Sequence, residues 1–259
     1  MQNSTPHRLI PGAGAVQRCL LGLFILMMGA LCQAQGGPPM VTDDPDTPGD
    51  GNWEINLASL AQRSRDGWLF TLPDVDINYG WGERLQLKLD TPWNERRENG
   101  VWTSGSGTTL IGVKWRFFDD EISNLAVSTY PQLGLHLDSA TVARGLADPG
   151  RSVFLPVEAS ARLGPLDIDV EGGRNLQQLG DSQWVAGVIL AHRFSPGFQM
   201  MFEAREHWSS AGAATLLNVG GHVELGGGLA LLAAAGREAG AAEPGRLSTL
   251  AYLGIQIRR

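Results

Sequence analysis

Residues 84–90 read Arg-Leu-Gln-Leu-Lys-Leu-Asp, and this strict alternation of apolar and polar side chains decides the fold. Successive side chains of a β-strand point to opposite faces, so the leucines share one face and the polar groups share the other. The same period of two recurs at residues 111–117 and 198–208. A helix would instead repeat its apolar positions about every 3.6 residues. The sequence therefore predicts an all-β protein.

Twelve alternating segments follow the first 51 residues. The eleventh is alanine-rich and also fits a short helix on propensity alone. Single-chain bacterial outer-membrane barrels have even numbers of strands. We therefore predict a transmembrane antiparallel up-and-down β-barrel of 12 strands. The predicted strands are residues 52–62, 68–80, 83–92, 108–118, 123–137, 152–163, 165–174, 182–193, 197–208, 213–224, 228–237 and 247–258.

The connections between these segments alternate in length. Short turns follow the even-numbered strands, whereas longer polar segments follow several odd-numbered ones, at residues 93–107, 138–151 and 240–246. Outer-membrane barrels have short periplasmic turns and longer outer loops, so we expect both chain ends in the periplasm. A soluble β-sandwich also alternates and is the alternative fold. Long strands, with Trp and Tyr near their ends, favour the membrane barrel.

The first 34 residues have the features of a cleaved signal peptide. Arg8 and Arg18 precede an apolar run at residues 19–31, which is too short to span a bilayer comfortably as a helix. Small residues suited to cleavage follow, before Gln35. A lipoprotein signal at Cys32 is the alternative, although the bulky Leu31 before it disfavours lipidation. We expect export and residence in the cell outer membrane.

Composition limits the chemistry of the mature chain. Both cysteines lie within the predicted signal, which excludes a disulfide or a cysteine nucleophile. Removing the signal's two bases takes the net charge from −7 to −9, and an acidic chain without a basic cluster argues against nucleic acid as a partner. No glycine-rich phosphate loop and no histidine pair at metal-ligand spacing is present. We therefore predict no cofactor and no metal.

Residues 35–51 form an acidic, proline-rich periplasmic lead-in, and residues 52–259 form the barrel. Prolines stiffen this lead-in and prevent strand pairing. It can enter the lumen as a small plug or remain outside as an acidic tether, and we favour the tether. Calcium binding is a further alternative, although the spacing is not that of an EF-hand loop. The residues concerned are Asp43, Asp44, Asp46 and Asp50, with Pro38, Pro39, Pro45 and Pro48.

Several ordered motifs resemble an outer-membrane transporter family named for the MetA pathway of phenol degradation. They are residues 41–45 (Val-Thr-Asp-Asp-Pro), 51–56 (Gly-Asn-Trp-Glu-Ile-Asn), 72–80, 83–88, 111–117 and 130–133. The resemblance covers about residues 38–258. It implies an outer-membrane pore that admits aromatic or other hydrophobic nutrients. This chain ends in Gln256-Ile257-Arg258-Arg259, whereas the family usually ends on an aromatic residue. The resemblance therefore does not extend to the ending that the barrel-assembly machinery recognises.

Charged residues cluster on one face of the alternating strands. A charge facing lipid at mid-depth costs about 2–4 kcal/mol for Arg or Lys, so this face is predicted to line the lumen. The lining either selects solutes in a water-filled pore or only satisfies its own charges in a plugged barrel. Asp90, Asp167, Asp169 and Glu171 share this face. The candidate lumen residues are Glu54, Asp74, Asp76, Arg84, Lys88, Lys114, Arg116, Glu158, Arg162, Glu203, Arg205, His207, His222 and Glu224.

One pair of residues also suggests a catalytic alternative. His207 and Ser209 share a strand face, with His222 and Glu224 on the next strand, which resembles the outer-membrane lipid A deacylases. A structural or adhesive barrel without transport is a second alternative. We predict a non-enzymatic channel for small, hydrophobic or aromatic solutes. Its expected partners are outer-membrane lipid, the small-molecule solute and the barrel-assembly machinery.

Overall fold

The structure is a computed structural model that describes residues 37–210, 212–240 and 246–259. The predicted signal peptide at residues 1–34 lies outside the described residues. Within them, no helix is long and apolar enough to cross a membrane.

The described chain is dominated by long strands, with one short helix, α1 (Ser139–Ala143). The strands are β1 (Trp53–Arg63), β2 (Trp68–Trp81), β3 (Leu85–Glu98), β4 (Val101–Ser106), β5 (Thr108–Asp120), β6 (Leu125–Thr129), β7 (Gln132–His136), β8 (Ser152–Leu163), β9 (Leu166–Gln177), β10 (Gln183–Ser195), β11 (Phe198–Ser209), β12 (Gly212–Gly226), β13 (Leu229–Gly240) and β14 (Thr249–Arg258).

These strands form a closed antiparallel barrel of 12 strands, as predicted. The number is 12 because β4 continues into β5 and β6 continues into β7, each pair forming one strand of the wall. Pro131 separates β6 from β7, since proline has no N–H to donate. The register continues past it, and Val113 N–H donates to the Pro131 carbonyl at 3.1 Å.

Pairing of the first strand with the last closes the barrel. β1 and β14 run antiparallel in continuous register from Glu54↔Arg258 to Arg63↔Thr249. Trp53 and Arg259 exchange backbone hydrogen bonds at the end of this seam, at 2.5 and 2.9 Å. Closure leaves no open sheet edge. It places both ends of the barrel chain at the rim with the short turns, called the turn side here; the opposite rim is the loop side.

Each strand presents its apolar residues to the outside. Along β11, Phe198, Met200 and Phe202 are exposed, whereas the residues between them are buried. Leu87 and Leu89 on β3 are also exposed, at 38% and 42%. The core is thus the lumen, and the outer surface is a continuous apolar band.

Aromatic residues mark both rims of this band. On the turn side, the rings of Trp53 and Tyr79 lie 4.7 Å apart between centroids. On the loop side, Trp68 stacks on Phe70 at 5.4 Å. Aromatic girdles of this kind flank the apolar band of outer-membrane barrels.

The connections differ from the sequence prediction in one place. Residues 93–107, predicted as a loop, instead extend β3 and form β4, paired from Trp93↔Ser106 to Glu98↔Val101. Asn99 and Gly100 form the turn with φ of 50° and 82°. Asn-Gly favours the two-residue turn of a tight hairpin because both positions tolerate left-handed backbone. The alanine-rich eleventh segment is the strand β13, not a helix.

A charge on the outer face tests the orientation of the wall. We expect Leu87→Arg to lower the free energy of unfolding in lipid vesicles by about 2–4 kcal/mol, because the guanidinium would lie in hydrocarbon. Urea titration followed by heat-modifiable gel migration measures the change. Glu121→Arg, in the exposed turn after β5, is the control and should have little effect. Equal stability of both variants would contradict the orientation.

Candidate functional site

Residues 37–49, which precede β1, enter the lumen instead of lying outside it. We call Gly37–Gly49 the luminal segment. Met40, Thr42 and Asp44 are almost fully buried, at 5%, 0% and 4% exposure. The preference for an external tether is therefore wrong. The sequence favours neither position by itself, because the same aspartates that suit a solvated tether also pair with cations inside the barrel.

Glu203 on β11 holds the inner end of the luminal segment. Its Oε1 accepts hydrogen bonds from Val41 N–H at 3.0 Å and Thr42 N–H at 2.5 Å. Asn218 Nδ2 donates to its Oε2 at 3.1 Å. Glu203 is itself fully buried. Hydrogen bonds to a charged acceptor contribute about 1.5–3 kcal/mol each, and a buried carboxylate without them would be costly.

Lys114 on β5 holds the middle of the segment. Its Nζ donates to Asp43 Oδ1 at 2.9 Å and to the Asp44 carbonyl, and lies 3.7 Å from Glu158 Oε2. The ammonium also lies over the Tyr130 ring, 4.7 Å from its centroid. Burial raises the pKa of Asp43, but the lysines around it outweigh this effect, so its pKa lies below the ordinary value.

The outer end of the segment is attached to the turn-side rim. Arg116 NH1 lies 3.4 Å from Asp46 Oδ1. Thr47 Oγ1 donates to the Glu83 carbonyl at 2.9 Å, and just beyond the segment Gly82 N–H donates to Asp50 Oδ1 at 2.8 Å. The segment is therefore bonded to the wall from Met40 to Thr47, from mid-barrel to the rim.

Two wall glycines make room for the segment. A Cβ on Gly187 of β10 would lie 2.1 Å from Thr42 Oγ1, and one on Gly80 of β2 would lie 1.9 Å from the Gly49 carbonyl oxygen. Neither distance is possible without movement. The wall is thus shaped to the segment as well as charged to match it.

Most of the predicted lumen residues lie inside the barrel in ion pairs. Arg84 differs: it lies exposed in the turn between β2 and β3, outside the lumen, and its carbonyl accepts a hydrogen bond from the backbone N–H of Arg116 at 2.9 Å. Glu54, on β1, is partly buried inside the lumen. Besides the contacts of Lys114 and Arg116 described above, the lumen contains the ion pairs Lys88–Asp76 at 3.2 Å, Arg162–Asp167 at 2.5 Å, Arg258–Glu224 at 2.5 Å and Arg205–Glu171.

Sequence reasoning missed the amides that connect these charges. Gln86 Nε2 donates to Asn78 Oδ1 at 2.8 Å and to the Tyr130 hydroxyl at 3.0 Å. Gln256 Nε2 donates to Asn56 Oδ1 at 3.1 Å. All of them occupy inward positions of the alternation, so the period of two would have found them had uncharged residues been considered.

A cavity of about 500 Å³ lies above the luminal segment, on its loop side. We call it the loop-side cavity. Residues 37–41 and Asp43 border it below, and apolar side chains such as Leu60, Leu216 and Leu250 line part of its wall. Asp74 and Lys88 are among its charged residues. The volume is within the range of small-molecule sites.

The groups of the proposed hydrolase are not brought together. Gln199, not His207, is opposite His222, so His222 lies at the far end of the β11–β12 hairpin. Eight residues of strand separate the two positions, roughly 25 Å. His207 borders the loop-side cavity, whereas Ser209 borders a different depression beside Trp184. Glu224 pairs with Arg258 and lies 3.9 Å from His222, at that far end and away from His207.

No family model matches the sequence, and no curated protein matches it. The fold is similar to that of solved outer-membrane barrels. The COG4313 outer membrane channel from Pseudomonas putida F1 aligns with a TM-score of 0.66 and 13% identity over 83% of this chain and 98% of that chain. The NanC porin aligns at 0.59 with 7% identity over 78% and 98%. The KdgM porin, solved with disordered oligogalacturonate, aligns at 0.58 with 10% identity over 79% and 98%.

A methyl group at Gly187 tests the fit of the luminal segment. We expect Gly187→Ala to push Thr42 out of position and to speed hydrogen exchange of the Val41 and Thr42 amides on the order of tenfold, since overpacking costs about 1–3 kcal/mol. Exchange measured by mass spectrometry on the folded protein reports this. Gly172→Ala is the matched control, because nothing lies within 4 Å of its added Cβ. Unchanged protection in Gly187→Ala would show that the contact does not hold the segment.

Proposed function

We propose that the protein is an outer-membrane channel for small solutes, with the luminal segment obstructing the turn-side half of its lumen. The loop-side cavity is the observation that carries this proposal. A barrel with only a structural role gains stability by filling its interior to normal packing density. A solute-sized space inside a closed wall instead favours transport.

Location in the outer membrane is supported by three features. The outer surface is apolar between aromatic rims, with Leu57, Val113 and Phe202 exposed at 44–47%. Charges are directed inward, where lipid cannot reach them. The fold is that of outer-membrane channels. The expected signal peptide at residues 1–34 agrees with this location.

Passage through the barrel requires the luminal segment to move. It carries no strand in the described chain and is held by side-chain contacts from Glu203, Lys114 and Arg116. Such contacts can break one after another without opening the wall. The segment is therefore a displaceable plug, attached to the barrel at Trp53.

The solute is proposed to be small and hydrophobic or aromatic. The apolar part of the cavity wall supports this, since it includes Leu110, Val185 and Leu247 and the rings of Phe154 and Tyr252. The family resemblance of the sequence implies the same class. The few polar groups beside this surface would orient the solute.

Cell fractionation tests the location. We expect the mature chain, beginning at Gln35, in outer-membrane fractions, with faster gel migration before heating than after it, because closed barrels resist unfolding by detergent. Mass spectrometry of the purified protein identifies its first residue. Recovery as a soluble periplasmic protein with heat-independent migration would contradict the proposal.

Release of the luminal segment tests the channel. We expect Glu203→Ala to raise the open fraction about tenfold or more, because Val41 and Thr42 lose their shared acceptor. Single-channel recording in planar bilayers measures this fraction. The control is Glu206→Ala, an exposed position on the same strand.

Absence of conductance would decide against transport. If the wild type, Glu203→Ala and a chain without residues 37–48 were all silent while folded, the barrel would be structural. Equal open fractions for Glu203→Ala and Glu206→Ala would leave a channel but contradict the plug.

A further inference from the structure

Carboxylates outnumber cations around the loop-side cavity. Among the described residues that border it, only Lys88 and Arg205 carry permanent positive charge. The bordering carboxylates are Asp43, Asp74, Asp76, Asp90, Glu171 and Glu238. The wall is therefore acidic.

Ion pairs neutralise only part of this acidic wall. Lys88 pairs with Asp76 at 3.2 Å, and Arg205 pairs with Glu171. Asp43 is matched by Lys114 from below, at 2.9 Å. Elsewhere in the described chain, no lysine or arginine forms an ion pair with Asp74, Asp90 or Glu238. His207 Nδ1 lies 3.9 Å from a carboxylate oxygen of Glu238, and this contact is an ion pair only when the imidazole is protonated.

The carboxyl groups of β2 and β3 that form no ion pair are close together. Asp90 is directly opposite Asp76 in the β2–β3 register. A hydrogen bond joins the side chains of Asp74 and Asp90, and it requires a proton shared between the two carboxyl groups. Neighbouring carboxylates repel each other when both are charged, and a cation placed between them relieves the repulsion.

Two acceptor atoms of the cavity residues lack a donor within the described protein. Asp90 Oδ1 and Asn175 Oδ1 are buried and accept no hydrogen bond there, whereas Asp76 Oδ1, which also accepts none, is ion-paired with Lys88 at 3.2 Å. A buried acceptor costs free energy until a donor reaches it. Both residues border the cavity, but these two oxygen atoms are themselves buried beneath its surface, so a ligand with N–H donors would reach them only if the side chains turned toward the cavity.

Part of the remaining wall is apolar and aromatic. Leu60, Leu110 and Leu250 face the same space as the carboxylates, together with Phe154 and Tyr252. Aromatic faces attract cations, and leucine side chains favour an apolar body. A ligand suited to both parts has a positively charged, donor-rich end and a hydrophobic remainder.

We infer that the loop-side cavity binds small primary amines with an apolar or aromatic body, in preference to neutral or anionic analogues of the same shape. This rests on the proposed function, because the amine would be the solute that the channel admits. The ammonium group lies against Asp74 and Asp90, and the hydrophobic body lies against the leucines and rings.

Three ligands with the same ring test the inference. Calorimetric titration of the folded, full mature chain in detergent would compare 2-phenylethylamine, 2-phenylethanol and phenylacetate. We expect the amine to bind about tenfold or more tightly than the other two, since only the amine can donate charge-assisted hydrogen bonds to the carboxyl groups. Asp74→Asn combined with Asp90→Asn should remove this preference.

A control variant with the same net charge shows whether the amine preference depends on Asp74 and Asp90 or only on the net charge of the protein. Asp66→Asn with Glu121→Gln removes two negative charges from exposed turns and should keep the preference for the amine. Heat-modifiable migration verifies that each variant is folded. Equal binding of the three ligands, binding of none, or an amine preference that survives Asp74→Asn and Asp90→Asn would overturn the inference.

The binding test is independent of conductance. A folded barrel that binds the amine but never conducts would sink the channel proposal and leave the binding site. A conducting barrel without amine preference would sink only the inference.

Discussion

The closed hydrogen-bonded ring of strands is the constraint on which the rest of the structure depends. Hydrocarbon offers no partner for a backbone N–H or carbonyl, so a wall in lipid must pair every strand on both sides. The β1–β14 seam completes that ring. Once the ring is closed, alternation sends every second side chain inward. The lumen therefore receives the charge that the strands carry at mid-depth, whereas strand charges such as Glu206 remain exposed.

The many carboxylates inside the barrel must be balanced by cations or by hydrogen-bond donors. Part of the charge is matched between neighbouring strands, as for Lys88 with Asp76. Lys114, however, reaches Glu158 only at 3.7 Å and makes its shorter contacts with Asp43 and Asp44 of the luminal segment. Burying a cation is costly unless it is paired and hydrogen-bonded. The segment is thus part of the electrostatic balance of the wall, and the same contacts define the space above it.

The strands of the wall are predictable from the sequence, whereas the position of the luminal segment inside them is not. Strands with one apolar face, such as β3 and β11, are visible from alternation alone. The β3–β4 extension was missed because both of its faces are largely polar beyond the apolar band, although Asn99-Gly100 is a hairpin signal. Arg84 was placed in the wall because strand ends are uncertain by a few residues. The position of the luminal segment depends on Lys114 and Glu203, which are distant in sequence, and one sequence does not reveal such pairings.

The path of the luminal segment has a consequence for assembly. Asp43 N–H donates to Glu171 Oε2 at 3.4 Å, and Glu171 belongs to β9, which lies across the barrel from β1. The segment is covalently joined to β1 at Trp53. Its binding site therefore does not exist until strands from both halves of the chain stand in one ring. Burial of the luminal segment therefore follows closure of the barrel, and protection of its amides reports that β1 and β14 have paired.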